Sequence, residues 1–202
     1  MRFLVRFRNV ARMTGVDATE QVVERGRQRC EEEGLAEQIR FVVADACASG
    51  LPSESADFVW SEDAWCYVED KRKLISEAAR IVRPGGVVAF TDWLEGPNPM
   101  SREEADRFLR FMNFPSILDL GVYPRLLEQA GCRVEVAEDT GRFAAYIDLY
   151  RNMLTMQLTY DALKIVRFDA ERMQSMEEGR DFIRELAHAG KIIQGIFVAR
   201  KH

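Results

Sequence analysis

Four short apolar runs, with helical patterns between them, constrain the fold of this chain more than any other feature. The runs have the length of strands, and they are Arg12–Asp17, Ile39–Asp45, Asp57–Ser61 and Gly86–Asp92. Short runs of this composition are typical of strands that are buried on both faces of a parallel sheet. We therefore expect these runs to form a parallel sheet at the centre of the fold.

Two amphipathic patterns in the same part of the chain predict helices that cover this sheet. The range 19–33 places Val23, Gly26 and Cys30 on one stripe, and the range 70–83 carries a second apolar stripe. The expected end signals are Gly34 for the first helix, and Asp70 and Pro84 for the second. Strands that alternate with helices predict a Rossmann-like α/β fold, with a mostly parallel sheet and helices on both faces.

The second half of the chain is richer in helical patterns and ends in a strand. The expected helices are Ser101–Phe114, Val122–Ala130, Phe143–Val166 and Asp169–Ala189, and the expected strands are Cys132–Ala137 and Lys191–Arg200. We interpret residues 1–202 as a single domain with an antiparallel C-terminal strand. The helical segments at about 95–118 and 143–189 are predicted to be lid insertions.

Composition excludes several classes of function. The net charge of −5 gives no general attraction for nucleic acid, and no apolar stretch approaches the roughly 20 residues of a membrane helix. Four scattered cysteines and two histidines form no metal-binding pattern, so we expect no metal site. Free thiols are typical of a reducing compartment, which predicts a cytoplasmic protein.

The first sixteen residues contain four arginines and no acid, which is also the composition of a short organelle-targeting peptide. We favour a helix followed by a strand, because the range 10–17 has the pattern of a strand end.

Acids at the carboxyl ends of successive strands are the strongest functional signal. In open parallel sheets, ligands bind in the crevice beside these ends. Asp17 could accept both hydroxyls of a ribose, and Asp45 could accept from an adenine amino group while the N–H of Ala46 contacts the ring. Each acid could instead be a helix cap or a turn former. Taken together, Asp17 and Asp45 favour a nucleoside site.

The sequence contains no glycine loop in the position that such a site requires. Dinucleotide-binding folds place the ribose acid about 20 residues after the start of that loop, and counting back from Asp17 passes Met1. Gly85 and Gly86 precede a strand instead of following one, so they predict a turn after a helix.

Several motifs in order resemble those of class I S-adenosylmethionine-dependent methyltransferases, and most of all the sarcosine and dimethylglycine N-methyltransferase-like branch. The similar segments are Thr14–Asp17, Val42–Ala46, Asp57–Ala64, Arg80–Gly86 and Asp119–Gly131. In that branch a strand ending in Trp-Ser-x-Asp-Ala precedes an aromatic-rich turn, which Trp65 and Tyr67 match. The resemblance covers nearly the whole chain.

The resemblance implies S-adenosylmethionine as the cofactor. Asp17 with Ala18 would bind its ribose, Asp45 with Ala46 its adenine, and Ser61 would lie beside its methionine portion.

The family's first strand, which lies between the strands ending at Asp17 and Ser61, is absent together with its glycine-rich loop. The loss of this strand would leave two rows of backbone N–H and C=O groups without hydrogen-bond partners in the sheet. We therefore expect either a truncated chain or a sheet that closes differently.

Candidate acceptor-binding residues follow the third strand. A methyl transfer to an amine requires the neutral amine, held in line with the carbon–sulfur bond. Glu62, Asp63 and Tyr67 are candidates to orient it, with Trp65 as a further substrate contact. The alternative interpretation is that the acids lie on the surface and the aromatic in the core.

The apolar helix from Phe143 is the second candidate for contact with the substrate. Tyr146 and Tyr150, with Met153, could line an apolar pocket. We favour a buried core helix for most of these positions. A helix that is apolar on nearly every side needs cover on several sides, which a homodimer contact could supply.

Three functions are therefore compared. The leading hypothesis is S-adenosylmethionine-dependent methyl transfer to a small molecule, at an amine nitrogen. The second is a catalytically inactive methyltransferase-like module that serves oligomerisation. The third is a dinucleotide-dependent oxidoreductase that binds its cofactor through Asp17. The sequence does not identify the methyl acceptor.

Overall fold

The strands that the structure describes form two separate sheets. The structure is a computed structural model that describes residues 1–156 and 170–202. A parallel pair joins β1 (Met13–Asp17) to β2 (Ile39–Val43). The larger sheet has the order β3–β4–β7–β6, where the strands are β3 (Ala56–Glu62), β4 (Val82–Glu95), β6 (Cys132–Asp139) and β7 (Ile192–Lys201). Short β5 (Leu118–Asp119) pairs with the end of β4.

Helices connect and cover these strands, and a single 3₁₀ turn, Trp65–Tyr67, follows β3. They are α1 (Arg2–Arg8), α2 (Glu20–Glu32), α3 (Lys71–Ile81), α4 (Arg102–Met112), α5 (Val122–Gln129), α6 (Phe143–Met156) and α7 (Ala170–His188). β3 runs parallel to β4, and β7 runs antiparallel to β4 and to β6. The predicted α/β class, with its antiparallel C-terminal strand, is confirmed.

Local sequence signals fix several helix ends. The Asp70 carboxylate accepts from the N–H of Lys73 at 3.0 Å and caps α3. Ser101 and Glu104 form a reciprocal capping box at the start of α4. Gly34 after α2 has a φ of +68°, as the left-handed stop requires.

The two sheets do not join within the described chain, since β1 pairs only with β2 and β3 pairs only with β4. Phe58 and Trp60 on β3 are 49% and 47% exposed, and their rings stack at 6.0 Å. Aromatic side chains on a central parallel strand are normally covered. Among the described residues, the open edges of β1 and β3 therefore lie where the resemblance places the family's first strand.

The apolar core is divided in the same way. Residues 1–43, which we call the N-terminal lobe, have a small cluster of four buried side chains, Val5, Cys30, Leu35 and Ile39. The main core packs α3 and α5 against the larger sheet. No hydrogen bond or ion pair between described residues joins the range 1–43 to the range 56–202. The linking segment, residues 44–55, packs on the main core through Ala46 and Cys47.

The helical insertions all connect to one end of the larger sheet, where β4 and β6 finish and β7 begins. α4 follows the carboxyl end of β4, and α6 with α7 lies between β6 and β7. These helices share a third apolar cluster, which includes Phe108, Phe143 and Phe182. The helix predicted for Phe143–Val166 is observed as far as Met156, and the remainder of that prediction lies outside the described residues. Among the helices that the structure describes, none has the length and apolar character to cross a membrane.

Candidate functional site

The ends of β1 and β2 bring the predicted nucleoside-binding acids to one rim. Asp17 is in register with Val43, and the N–H of Ala44 donates to the carbonyl oxygen of Asp17 at 3.0 Å. Asp45 follows immediately, so both acidic loops leave the same edge of the small sheet. This juxtaposition is the one that a shared nucleoside site requires.

Each of the two carboxylates also stabilises its own turn. Asp17 Oδ1 accepts from the N–H of Thr19, and Asp45 Oδ1 accepts from the N–H of Cys47, both at 2.8 Å. The turn-forming role that the sequence left open is therefore present. Both side chains are exposed, and their Oδ2 atoms accept no hydrogen bond from the described residues. Each acid can hold its turn and still bind a ligand hydroxyl or amino group.

A buried clamp holds the segment that carries Asp45. Ser49 donates to Glu77 Oε1 through its N–H at 2.9 Å and through its hydroxyl at 2.6 Å. Arg80 pairs with Glu77 and also donates to the carbonyl oxygen of Leu51 at 2.7 Å. The hydrogen bond from Arg80 is the largest cause that lowers the pKa of Glu77, to about 2. The segment is thereby fixed to α3.

Asp63 has the most unusual environment in the candidate site. Its φ is +48°, which is uncommon for a residue other than glycine. Its Oδ2 accepts from Gln194 Nε2 at 2.7 Å, while its Oδ1 is buried and has no hydrogen-bond partner among the described residues. Backbone strain and an unpartnered buried oxygen each cost about 1–3 kcal/mol. Such a residue is a candidate ligand contact.

Polar groups from neighbouring strands surround Asp63. The carbonyl oxygen of Thr91 accepts from the Asp63 N–H at 3.0 Å, and the Thr91 hydroxyl is likewise buried without a described partner. Gln194 also contacts the Thr140 hydroxyl at 3.3 Å. None of Thr91, Thr140 and Gln194 is predicted from the sequence as a site residue. Only Gln194 left a signal, as a polar residue within the apolar run of the last strand.

The other residues predicted around β3 have different surroundings. Ser61 is buried, and Glu62 is exposed. Trp65 is 7% exposed and packs on Phe90 with 4.2 Å between ring centroids, so the structure gives it a packing role and no open face toward a substrate. Tyr67 is half-exposed and lies edge-on to Phe114. Partial burial raises the pKa of the Tyr67 hydroxyl, which therefore stays protonated at neutral pH.

Asp92 is a buried acid that the sequence analysis left without a role. It is 1% exposed, and it accepts from the N–H of Cys66 at 2.8 Å and from the Tyr123 hydroxyl at 2.5 Å. Burial raises the pKa of Asp92, and the hydrogen bond from Tyr123 opposes that effect. The predicted strand ended at this residue. The observed β4 continues to Glu95, which places Asp92 inside the strand and directs it into the core.

The helix α6 is more exposed than predicted. Tyr146, Leu149, Tyr150 and Met153 form one stripe along it, and each is between 48% and 57% exposed. The expectation of a buried core helix is wrong for these positions, because the described residues of α6 that pack on the third apolar cluster lie on the opposite face, at Phe143, Ala144 and Ile147. Contact of Tyr146 and Tyr150 with a substrate stays a prediction.

Comparison with known proteins places these features in a family. Residues 2–90 match the family model described as a methyltransferase domain. The 27-O-demethylrifamycin SV methyltransferase of Amycolatopsis mediterranei (strain S699) is 31% identical over 137 residues, which are 67% of this chain and 50% of that protein. The sarcosine/dimethylglycine N-methyltransferase of Aphanothece halophytica is 31% identical over 144 residues, which are 70% of this chain and 50% of that protein.

A solved structure extends the similarity to nearly the whole chain. Haemonchus contortus phosphoethanolamine N-methyltransferase 2, in complex with phosphomonomethylethanolamine and S-adenosylhomocysteine, superposes with a TM-score of 0.83 at 21% identity. The match covers 99% of this chain and 45% of that chain. The two sheets are thus arranged as parts of one known fold. The chain spans about half the length of the curated relatives it matches.

Proposed function

Because this chain belongs to the class I methyltransferases by its domain and its fold, we propose that it transfers a methyl group from S-adenosylmethionine to an amine nitrogen of a small molecule. The cofactor supplies an activated methyl group, so the protein has to bind the cofactor and the acceptor, orient them, and exclude water from the site. The proposal assigns these tasks to the rim formed by β1, β2 and β3.

The residues at the rim suit the cofactor. The free Oδ2 of Asp17 can accept from the ribose hydroxyls, with Ala18 beside it, and the free Oδ2 of Asp45 can accept from the adenine amino group. Ala46 offers its N–H to the adenine ring, and Ser61 is assigned to the methionine portion. The exposure of both side chains, each with one oxygen held in its turn, supports this assignment.

The observation that carries the choice of an amine is the unpartnered Oδ1 of Asp63. A buried carboxylate oxygen without a donor gains a hydrogen bond when an amine N–H reaches it. Gln194 holds the other oxygen, so the carboxylate can orient the nitrogen and its lone pair. The relatives that act on sarcosine and phosphoethanolamine support the same acceptor class.

Methyl transfer from labelled cofactor to a panel of acceptors tests the proposal. The panel contains sarcosine, dimethylglycine, phosphoethanolamine and a hydroxyl compound of similar size. We expect transfer to at least one amine, and transfer to the hydroxyl compound alone would exclude an amine acceptor. Binding of S-adenosylhomocysteine by calorimetry is measured in parallel, and the absence of both heat and a thermal shift would refute the cofactor assignment.

The variant Asp63→Asn tests the residue. It keeps the shape of the side chain and removes its charge, so kcat/KM for the amine should fall roughly 10- to 100-fold, as for loss of a hydrogen bond to a charged group. The matched control is Asp57→Asn on β3, the strand that leads to Asp63, where the acid is exposed and pairs with Arg83. The control should keep wild-type kinetics. Equal kinetics for Asp63→Asn and wild type would remove Asp63 from the site.

A further inference from the structure

The turn that carries Asp63 and Tyr67 is fixed by three buried polar side chains. We call residues 63–68 the substrate turn. The Lys71 ammonium on α3 donates to the carbonyl oxygens of Trp65 at 2.7 Å and Cys66 at 3.3 Å, and also to that of Val68. All the hydrogen bonds that the Lys71 ammonium makes within the described chain are therefore directed at backbone oxygens of one turn.

A backbone N–H of the same turn is bound by a residue of β4. The Asp92 carboxylate accepts from the N–H of Cys66, and Tyr123 on α5 donates to its other oxygen. Lys71, Asp92 and Tyr123 are 7%, 1% and 0% exposed. The turn is thus bound at one N–H and at three carbonyl groups by side chains from two elements, α3 and β4, and Tyr123 on α5 holds the Asp92 carboxylate from behind.

Burial makes these contacts sensitive to the position of the turn. A buried ammonium or carboxylate is stable only when its hydrogen-bonding capacity is filled, and an unfilled one costs several kcal/mol. A displacement of the substrate turn would remove the three carbonyl partners of the Lys71 ammonium and would leave the Asp92 carboxylate with Tyr123 as its remaining donor. Aromatic packing alone, such as Trp65 on Phe90, would tolerate small displacements without this penalty.

We propose that Lys71, Asp92 and Tyr123 are positioning residues, which hold the substrate turn so that Asp63 and Tyr67 face the methyl acceptor. The inference rests on the proposed function for the role of Asp63. The three residues do not contact the acceptor. They act through the backbone of the turn, whose left-handed residue, Asp63, needs such support to keep its conformation.

The variant Tyr123→Phe gives the most specific test. It removes one hydroxyl and keeps the ring contacts with Phe90 and Phe197, so the core stays filled. The matched control is Leu127→Val, one turn further along α5 and equally buried in the main core. The two variants should lose similar amounts of thermal stability, and only Tyr123→Phe removes a contact that leads to the substrate turn.

Two readouts then separate a positioning role from a purely structural one. Hydrogen exchange of a peptide that covers residues 63–68 should become roughly tenfold faster in Tyr123→Phe than in Leu127→Val, as for the loss of about 1.4 kcal/mol of local protection. The KM for sarcosine, or for the amine that the wild type prefers, should rise by a similar factor, while the KM for S-adenosylmethionine stays unchanged. Asp92→Asn, which keeps an oxygen for the Cys66 N–H, should retain more exchange protection than Asp92→Ala.

The outcomes are distinct. Equal acceleration of exchange in Tyr123→Phe and Leu127→Val would overturn the positioning role. A parallel rise in the KM for the cofactor would also overturn it, because the effect would then not be confined to the acceptor. If the wild type methylates no amine, the proposed function fails, and the exchange comparison still decides whether the network holds this turn.

Discussion

Asp45 illustrates how one carboxylate in this protein can have two roles. One oxygen accepts from the N–H of Cys47 and shapes the turn, while the other accepts no hydrogen bond from the described residues on an exposed side chain. A substitution by alanine removes both roles together. A substitution by asparagine separates them, because the amide oxygen can replace Oδ1 in the turn while the amide nitrogen places a donor where the adenine amino group also donates.

We predict that Asp45→Asn lowers the affinity for S-adenosylhomocysteine roughly tenfold, which corresponds to a loss of about 1–1.5 kcal/mol of binding free energy. The melting temperature should not fall. Asp45→Ala should lose the same affinity and also some stability. The control is Asp119→Ala, since Asp119 forms the same kind of turn with the N–H of Gly121 at 2.8 Å and lies outside the predicted cofactor site. Calorimetry and thermal melts measure both effects, and wild-type affinity in Asp45→Asn would contradict the adenine assignment.

Single acids show what the sequence could and could not predict. The positions of Asp17 and Asp45 at strand ends followed from strand length and polarity, which are local properties. Asp92 looked similar, as an acid after an apolar run, yet it is buried inside β4. Its partners come from a 3₁₀ turn and from α5, distant in sequence, so no local pattern could reveal them. The orphaned oxygen of Asp63 also depends on contacts between strands.

At the scale of elements, the segment 44–55 depends on α3 more than on its neighbouring strands. Ser49, Leu51 and Ser53 are all hydrogen-bonded by Glu77 or Arg80. Glu77 is 9% exposed, so its charge is stabilised by these partners and not by water. The clamp therefore contributes a stability that depends on the ionised form of Glu77.

We predict that this contribution disappears in acid. The pKa of Glu77 is about 2 in the folded chain and 4.5 as a reference, so the ionised form is favoured by folding. The stabilisation is fully present above pH 4.5 and is lost as the pH falls toward 2. Glu77→Gln should cost about 1–3 kcal/mol at pH 7, and less at pH 3. The control is Glu37→Gln, at an exposed acid. If the free energy of unfolding that Glu77→Gln loses were the same at every pH, the prediction would be contradicted.

Element boundaries were predictable where turn chemistry is local. Asp70 caps α3 as expected, but the helix ends at Ile81, two residues before the predicted end, because Val82 already pairs with Ala56. β4 then extends to Glu95 because β7 pairs with it from Val87 to Glu95. For α6, composition predicted burial, and the exposure of Tyr150 shows that burial depends on which neighbours are present to cover a face.

At the scale of the whole molecule, the N-terminal lobe and the region of the larger sheet have separate apolar cores of unequal size. The N-terminal lobe buries few side chains and has no hydrogen bond to the range 56–202 among described residues. The larger sheet is held by long β4–β7 and β6–β7 ladders and by apolar clusters on its covering helices. Local opening free energies follow the number of buried contacts and protected hydrogen bonds. The lobe should therefore open without the larger sheet.

We predict that amides of β1 and β2 exchange through openings about 2 kcal/mol or more below those of β4 and β7, as measured by hydrogen exchange and mass spectrometry. Val23→Ala, at a side chain that is 1% exposed on α2, should accelerate exchange in the range 13–43 and leave β4 and β7 unchanged. Leu74→Ala, at a side chain that is 2% exposed on α3, should accelerate exchange in β4 and β7 instead. If Val23→Ala accelerated both regions equally, the two cores would unfold as one cooperative unit, and the open edges of β1 and β3 would not divide the molecule energetically.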